Sequence, residues 1–261
     1  MTSFESQVDS AQRMYTPRAT DYENSWHPEY SQRFTDVVPI KPGDRILDLA
    51  CGTGLDAIIA AERVGDQGTV IGVDVTAAML EKAREKLKDN ATLARRLTLV
   101  QHDVTDLTGC PHIQKDSFDT VLCSNAFVLF EHPEQVVAHW RDYLKPGGRV
   151  VIDITHERNL PSGLLVEKGR QKPRPPFPFE PNLDKVEIVE KALGLGSTYM
   201  DLDQADAQFD QILNGPLAGM AIADELRVNG RDKFKQEWEN AAVDGKIEVS
   251  DILYVYVARK V

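Results

Sequence analysis

The segment "DRILDLACGTGLDA", residues 44 to 57, restricts the fold of this chain more than any other. Ile46 to Leu49 is a short apolar run, and Gly52-Thr53-Gly54-Leu55-Asp56-Ala57 follows it with the spacing Gly-x-Gly-x-x-Gly/Ala. Glycines so placed let a strand turn sharply into a helix and bring backbone N–H groups close to a ligand. The continuation "LDAIIAAERVG" distributes apolar residues around a helix that stops at Gly65. A strand, a tight turn and a helix in that order open a βαβ unit, so the next strand is expected parallel to the first.

The alternation continues. "GTVIGVDVT" (68–76) reads as a β-branched strand ending at Asp74, and "AAMLEKAREKLKDN" as a helix with a charged outer face. Three further apolar strands follow in "LTLVQHDVTDL" (97–107), "FDTVLCSNAFVLF" (118–130) and "GRVVIDITHE" (148–157), with "PEQVVAHWRDYLKPGG" as the helix between the last two. The pattern predicts an α/β fold with a doubly wound, mostly parallel sheet. Such sheets bind ligands outside the carboxyl ends of their strands, where the strand order reverses. Asp48, Asp74, Asp103, Ser124, Asn125 and His156 are therefore expected to converge there.

Beyond residue 157 the character changes. "ERNLPSGLLVEKGRQKPRPPFPFEPNL" holds six prolines, which excludes a regular helix or a central strand. It reads either as a lid over the site or as a plain surface loop, and the lid is favoured because long loops in compact domains tend to be functional. "GRDKFKQEWENAAVDG" is helical in pattern, and the apolar "SDILYVYVARKV" is expected to return to the sheet antiparallel. The expected organisation is a helical cap over 1–40, a core over 41–156, and a lid or substrate region with closing strands over 157–261.

Length and charge narrow the function. With 261 residues there is room for one substantial α/β domain with an elaboration. The net charge of −11, from 30 basic and 41 acidic side chains, offers no surplus to neutralise a phosphate backbone, which argues against nucleic acid. Cys51, Cys110 and Cys123 are too few and too scattered for a disulfide framework or a zinc cluster, so buried thiols in a reducing compartment and no metal site are expected. The N-terminal residues lack a signal-peptide core and no stretch approaches the ~18 apolar residues of a membrane span, which points to the cytoplasm.

Which ligand does the glycine turn hold? Alone, the turn suits either a cofactor or no ligand at all. Asp74 lies 74 − 54 = 20 residues beyond Gly54, where a carboxylate can accept from both hydroxyls of a ribose, in NAD or in another adenosine ligand. Asp48 separates the two. A carboxylate at the end of the first strand opposes a diphosphate but favours the ammonium and sulfonium charges of S-adenosylmethionine.

"ILDLACGTG", "GVDVTAAML", "HDVTD", "FDTVLCSNAFVLFEHPEQVV" and "YLKPGGRVVI" together resemble the successive motifs of class I S-adenosylmethionine-dependent methyltransferases, over residues 43 to 155. The variant is similar to the ubiquinone-biosynthesis and small-molecule branch. That resemblance implies a Rossmann-like sheet of seven strands with an N-terminal helical cap. It implies that Asp48, Ala50 and Gly52 surround the methionine moiety and Asp74 the ribose, that Val75 and Met79 lie against the adenine, and that Asp103 and Val104 hold its edge. "MYTPRATDYENSW" is similar to the family's segment that closes over the cofactor, which brings Tyr15 and Tyr22 towards its carboxylate; Asn125 joins the same set. The stretch "SNAFVLFEHP" departs from the Asn/Asp-Pro-Pro-aromatic signature of nucleic-acid amino methyltransferases.

Plainer readings accompany these. Val75 and Met79 also suit a core, and His156 suits either a base at the pocket rim or a loop histidine. His27 and His132 precede prolines at helix starts, which explains them without chemistry. The expected function is methyl transfer from S-adenosylmethionine to an oxygen, nitrogen or carbon of a small organic acceptor, with His156 as the candidate base. The alternative is a protein that retains the cofactor site without methylating, as a partner subunit or as another catalyst. A homodimer is left open.

Overall fold

A computed structural model describes residues 6–155, 185–192, 198–214, 221–249 and 252–260. The chain divides into two compact units, one of residues 1–154 with 179–189 and 255–261, the other of 155–178 with 190–254. His156 and the proline-rich stretch expected as a lid lie outside the described residues.

The first unit begins with two short helices, α1 (Gln7–Tyr15) and α2 (His27–Thr35). Ser6 caps α1 by accepting the Asp9 N–H at 3.1 Å, and Pro28 stands in the first turn of α2, where its missing N–H costs nothing. There follow β1 (Arg45–Leu49), α3 (Leu55–Arg63), β2 (Thr69–Asp74), α4 (Ala77–Leu87), α5 (Ala91–Arg96), β3 (Leu97–Gln101), β4 (Phe118–Cys123), α6 (Pro133–Arg141) and β5 (Leu144–Thr155). With β6 (Lys185–Ala192) and β9 (Ile252–Arg259), these strands form a sheet in the order β3-β2-β1-β4-β5-β9-β6. The pairs from β3 across to β5 are all parallel, as the alternation of strands and helices requires. From β1 the chain first adds strands on one side, β2 and β3, and then on the other, β4 and β5. The order thus reverses between β1 and β4, and Asp48 sits at that point, in register with Gly72 of β2 and Leu122 of β4.

Strands buried on both faces are apolar throughout, and Ile46, Leu47, Leu49, Val121, Leu122 and Val151 are accordingly fully buried. Against one face lies α6, whose Val136, Val137 and Trp140 recur at helical spacing; the Trp140 indole N–H donates to the Val104 carbonyl at 2.7 Å, so the large ring is buried without an unpaired donor. Among the described residues no helix is long and apolar enough to cross a membrane.

Three boundaries differ from the sequence reading. β3 stops at Gln101 rather than running to 107, because Asp103 Oδ1 accepts from the Thr105 N–H and Asp106 Oδ1 from the Thr108 N–H, local turns that end pairing. β4 stops at Cys123, since Asn125 takes a left-handed φ of +51° and a single 3-10 turn follows at Phe127–Leu129. β5 starts early. Its register with β4 jumps from Phe118↔Leu144 to Thr120↔Arg149, so "KPGG" is a bulge inside the strand, with Gly147 at φ +76°, rather than the end of the preceding helix.

In the second unit, β7 (Thr198–Asp201) and β8 (Lys246–Val249) pair antiparallel, and helices span Ala205–Asn214, Ala221–Asn229 and Arg231–Ala241. Phe209, Leu213, Phe234, Trp238 and Ile247 form its core, separate from that of the parallel sheet. Arg231 ties the first of these helices to the third, pairing with Asp206 at 3.0 Å and Asp210 at 2.5 Å while its guanidinium lies 4.8 Å from the centre of the Phe209 ring.

Candidate functional site

The site grows out of the turn after β1. Ala50 has φ +58°, Gly52 +54° and Gly54 +78°, three left-handed residues that bend the chain from strand into α3. Such a backbone is strained at alanine, and it persists because its surroundings fix it. The Cys51 N–H donates to the Val73 carbonyl at 3.0 Å, the Gly54 N–H to the Cys51 carbonyl at 2.8 Å, and the Gly52 N–H to Asp74 Oδ2 at 2.8 Å. At Gly54 a side chain would also be crowded, its Cβ standing 3.0 Å from that of Ala83, which would have to give way.

Asp74 ends β2 and accepts from both loops beside it, the Gly52 N–H on Oδ2 and the Thr76 N–H at 2.7 Å on Oδ1. Burial raises its carboxyl above the ordinary value and these donors oppose the rise. Each oxygen still has acceptor capacity for a donor on the ligand side.

Asp48 is different. Its side chain is 1% exposed, and its Oδ2 has no hydrogen-bond partner among the described residues. Burial, with Asp56 and Asp74 as like charges, pushes its carboxyl well up, while the Ala57 N–H in the first turn of α3 pulls the other way. A buried acceptor left open at a reversal of strand order is what a cationic ligand would complete.

Beside it lies a second pair of buried carboxylates. Asp56, in the first turn of α3, is raised to about 7 by burial and by Asp153, against hydrogen bonds from Ser31 and Ser124. Asp153, on β5, is raised to about 6 by burial, and it accepts from the Tyr30 hydroxyl and the Asn125 N–H at 2.7 Å, with Ser124 Oγ 3.4 Å away between the two carboxylates. Tyr22, His27, Tyr30, Ala50, Gly52, Thr53, Asp56 and Asn125 are among the residues that line one cleft.

The structure thus distributes the residues named from sequence. Tyr22, Ala50, Gly52 and Asn125 line the cleft, and Tyr22 hydrogen bonds to the Asn125 side chain. Asp48 lies buried beneath it, close enough to Asp56 and Asp74 to feel both charges. Tyr15 is half-buried near Asp74, its hydroxyl raised by burial and by that carboxylate, and Arg18 sits 5.6 Å from the centre of its ring. Val75 is half-buried after β2 and Met79 fully buried on α4. Val104 belongs to the core cluster, and Asp103 uses one oxygen to hold Thr105. Tyr30, Asp56 and Asp153 were not singled out from sequence. Asp153 was visible in principle, as a lone carboxylate in the apolar run "RVVIDIT", and Asp56 as an acidic residue two places after the second glycine; Tyr30 carried no local signal. Among the described residues, no three His, Cys, Asp or Glu side chains are placed to hold a metal ion.

Comparison with known proteins agrees with this geometry. Residues 40–193 match the family described as "Methyltransferase domain". The aklanonic acid methyltransferase DauC of Streptomyces sp. (strain C5) is 32% identical over 119 residues, 46% of this chain and 51% of that protein. The ubiquinone/menaquinone biosynthesis C-methyltransferase UbiE of Teredinibacter turnerae is 32% identical over 139 residues, 53% of each. The chain therefore spans about half the length of these curated relatives. Among solved structures, phosphoethanolamine N-methyltransferase 2 of Haemonchus contortus, in complex with S-adenosyl-L-methionine, superimposes with a TM-score of 0.57 at 19% identity, covering 99% of this chain and 60% of that one. At that identity the likeness concerns the fold.

Proposed function

The chain belongs to the methyltransferase-domain family, and from that premise we propose that it transfers a methyl group from S-adenosylmethionine to a small organic acceptor. The observation that carries this reading is the open, buried oxygen of Asp48 beside a turn of three left-handed residues, with Asp74 held in place by Gly52 and Thr76. Those residues fit the cofactor: a buried acceptor suits its cationic methionine end and an oriented carboxylate its ribose hydroxyls. Asp48, Ala50 and Gly52 would hold the methionine moiety, Asp74 the ribose, and Val75, Met79, Asp103 and Val104 the adenine, with Tyr15, Tyr22 and Asn125 closing the site. When bound, the cofactor supplies an activated methyl on a good leaving group. The protein's part is to align the acceptor and exclude water, an effect of order 7–11 kcal/mol in oriented reactions.

The net charge of −11 supports a small acceptor over nucleic acid, and three free, buried thiols support a cytoplasmic setting. A homodimer is tested by sedimentation. Calorimetric titration with S-adenosylmethionine, S-adenosylhomocysteine and NAD tests the reading itself: the first two bind and NAD does not. Binding of NAD alone would sink it.

A further inference from the structure

Two walls of the cleft meet on one pair of buried carboxylates. One wall is the stretch from Tyr22 to Ser31, which runs into α2; the other is the turn after β1 and the loop after β4. The Tyr22 hydroxyl hydrogen bonds to the Asn125 side chain, the Asn125 N–H donates to Asp153 at 2.7 Å, and Asp153 accepts in turn from the Tyr30 hydroxyl. Ser31, next to Tyr30 on α2, hydrogen bonds to Asp56 in the first turn of α3. The circuit leaves the first wall at Tyr22 and returns to it at Tyr30, so α2 is seated on Asp56 and Asp153 by side-chain hydroxyls.

The two ends of α2 are held differently. At the C-terminal end Phe34 is buried, and Arg63 from the last turn of α3 donates to the Thr35 carbonyl and pairs with Asp36 at 2.6 Å. At the N-terminal end the His27 ring is stacked between those of Tyr22 and Trp26, and a partly exposed pair of Glu23 with Lys86 at 2.5 Å adds a surface tie to α4. Such pairs contribute little. The N-terminal end therefore depends on the two carboxylates, and the C-terminal end is the hinge.

The charge of the seat decides how firmly it holds. Among the described residues, the groups that face Asp56 and Asp153 are each other, Asp48 at the end of β1 and beyond it Asp74 of β2, the thiols of Cys51 and Cys123, and the hydroxyls of Tyr22 and Tyr30. His27 is held towards its neutral form by burial, with Arg18 acting in the same direction, and no lysine or arginine is among the described residues that line the cleft. Two charges seated there repel each other without a cation between them. Burial accordingly raises Asp56 to about 7 and Asp153 to about 6, outweighing the hydroxyl donors from α2. With α2 swung out the carboxylates meet water and return to about 4, so the seated state binds protons more tightly, and seating weakens as pH rises from about 4 to about 7.

We propose that Asp56 and Asp153 form a latch that holds α2 against the cleft while the pair keeps a proton, and that α2 swings open about its Arg63 end when both are charged. Resting on the methyltransferase reading, the latch governs access to the cofactor. The test is hydrogen exchange on the full ligand-free chain at pH 6 and pH 8, with wild type and Asp56→Asn compared at the same pH so that the intrinsic pH dependence of exchange cancels. The amides of α2 should open while those of β1 stay protected, and the excess opening of wild type over variant should grow about tenfold from pH 6 to pH 8, as expected for a carboxyl at about 7. Asp153→Asn repeats the comparison where Asp56→Asn does not fold. Tyr30→Phe, which keeps both carboxylates and deletes one hydroxyl of the latch, should open α2 further at either pH. The proposal is overturned by α2 amides that exchange only together with those of β1, by an excess opening that is the same at both pH values, or by a Tyr30→Phe chain protected like the wild type. Added S-adenosylhomocysteine should restore protection of α2 at pH 8, and binding that leaves α2 as open as before overturns the link to the cofactor. Failure of S-adenosylhomocysteine to bind is a separate result, against the methyltransferase reading, and the ligand-free comparison still decides the latch.

Discussion

Asp48 and Asp74 are both buried carboxylates at strand ends, yet they differ in what they already hold, and the difference predicts different variants. Asp74 accepts from Gly52 and Thr76, so Asp74→Ala removes ligand acceptors and strands two backbone donors together. S-adenosylmethionine affinity should fall by about 2–4 kcal/mol, and the ligand-free fold should lose about 1–3 kcal/mol, measured by calorimetry and by urea titration. A loss of stability with unchanged affinity would reduce Asp74 to a brace for the loop. Asp48 instead has an open oxygen and like charges around it. Asp48→Asn keeps the shape and removes the charge, so it should cost S-adenosylmethionine, whose sulfur is cationic, about tenfold more affinity than S-adenosylhomocysteine, whose sulfur is neutral. Equal losses would mean that Asp48 does not sense that charge.

The strand–turn–helix of β1 and α3 depends on backbone geometry more than on any side chain. Gly54 combines φ +78° with a 3.0 Å approach to the Ala83 Cβ on α4, so Gly54→Ala strains the turn and pushes on the neighbouring helix at once. A stability loss of about 1–3 kcal/mol is expected in urea titration, with cofactor affinity reduced because the turn itself moves. An unchanged midpoint would show that the turn relaxes freely. The bulge at the start of β5 has the opposite character. It absorbs Lys145 to Gly148 without ending the strand, which leaves Asp153 in register to reach Asn125 and Tyr30.

Buried carboxylates also set how the protein responds to pH. Asp56 is raised to about 7 and Asp153 to about 6, both chiefly by burial, so the folded state binds these protons more tightly than the unfolded chain does. Between about pH 4 and pH 7 the native state therefore carries more protons, and stability falls as pH rises through that window, then levels off above it. Other carboxylates on the surface pull the opposite way, so the difference between variants is the clean measurement. Asp56→Asn should melt higher than the wild type at pH 8 by several degrees, and the gap should shrink towards pH 4, at roughly 2–4 °C for each kcal/mol in a chain of this size. A gap that does not change with pH would mean that Asp56 keeps an ordinary carboxylate affinity for its proton.

Much of this architecture is local in origin. The period of apolar residues, the glycine spacing and the acidic residue at 74 belong to short stretches of chain, so the parallel sheet and the places of Asp48 and Asp74 at its strand ends could be read from residues 44 to 76 and the strands that follow. The boundaries that went astray, at Gln101, Cys123 and Leu144, were decided by side-chain turns and a bulge whose energies are small beside those of strand pairing. The constellation of Tyr30, Asp56 and Asp153 was not local at all. Tyr30 and Asp153 are 123 residues apart, and their hydrogen bond exists only because α2 packs on α3 and so brings Tyr30 to β5. Burial is likewise a property of the folded chain, and it alone separates Asp56, with a buried oxygen that has no partner among the described residues, from the many other carboxylates of a sequence with a net charge of −11. Short-range pattern chose the fold and put Asp48 and Asp74 at strand ends; long-range packing chose which carboxylates were buried with an oxygen left without a partner.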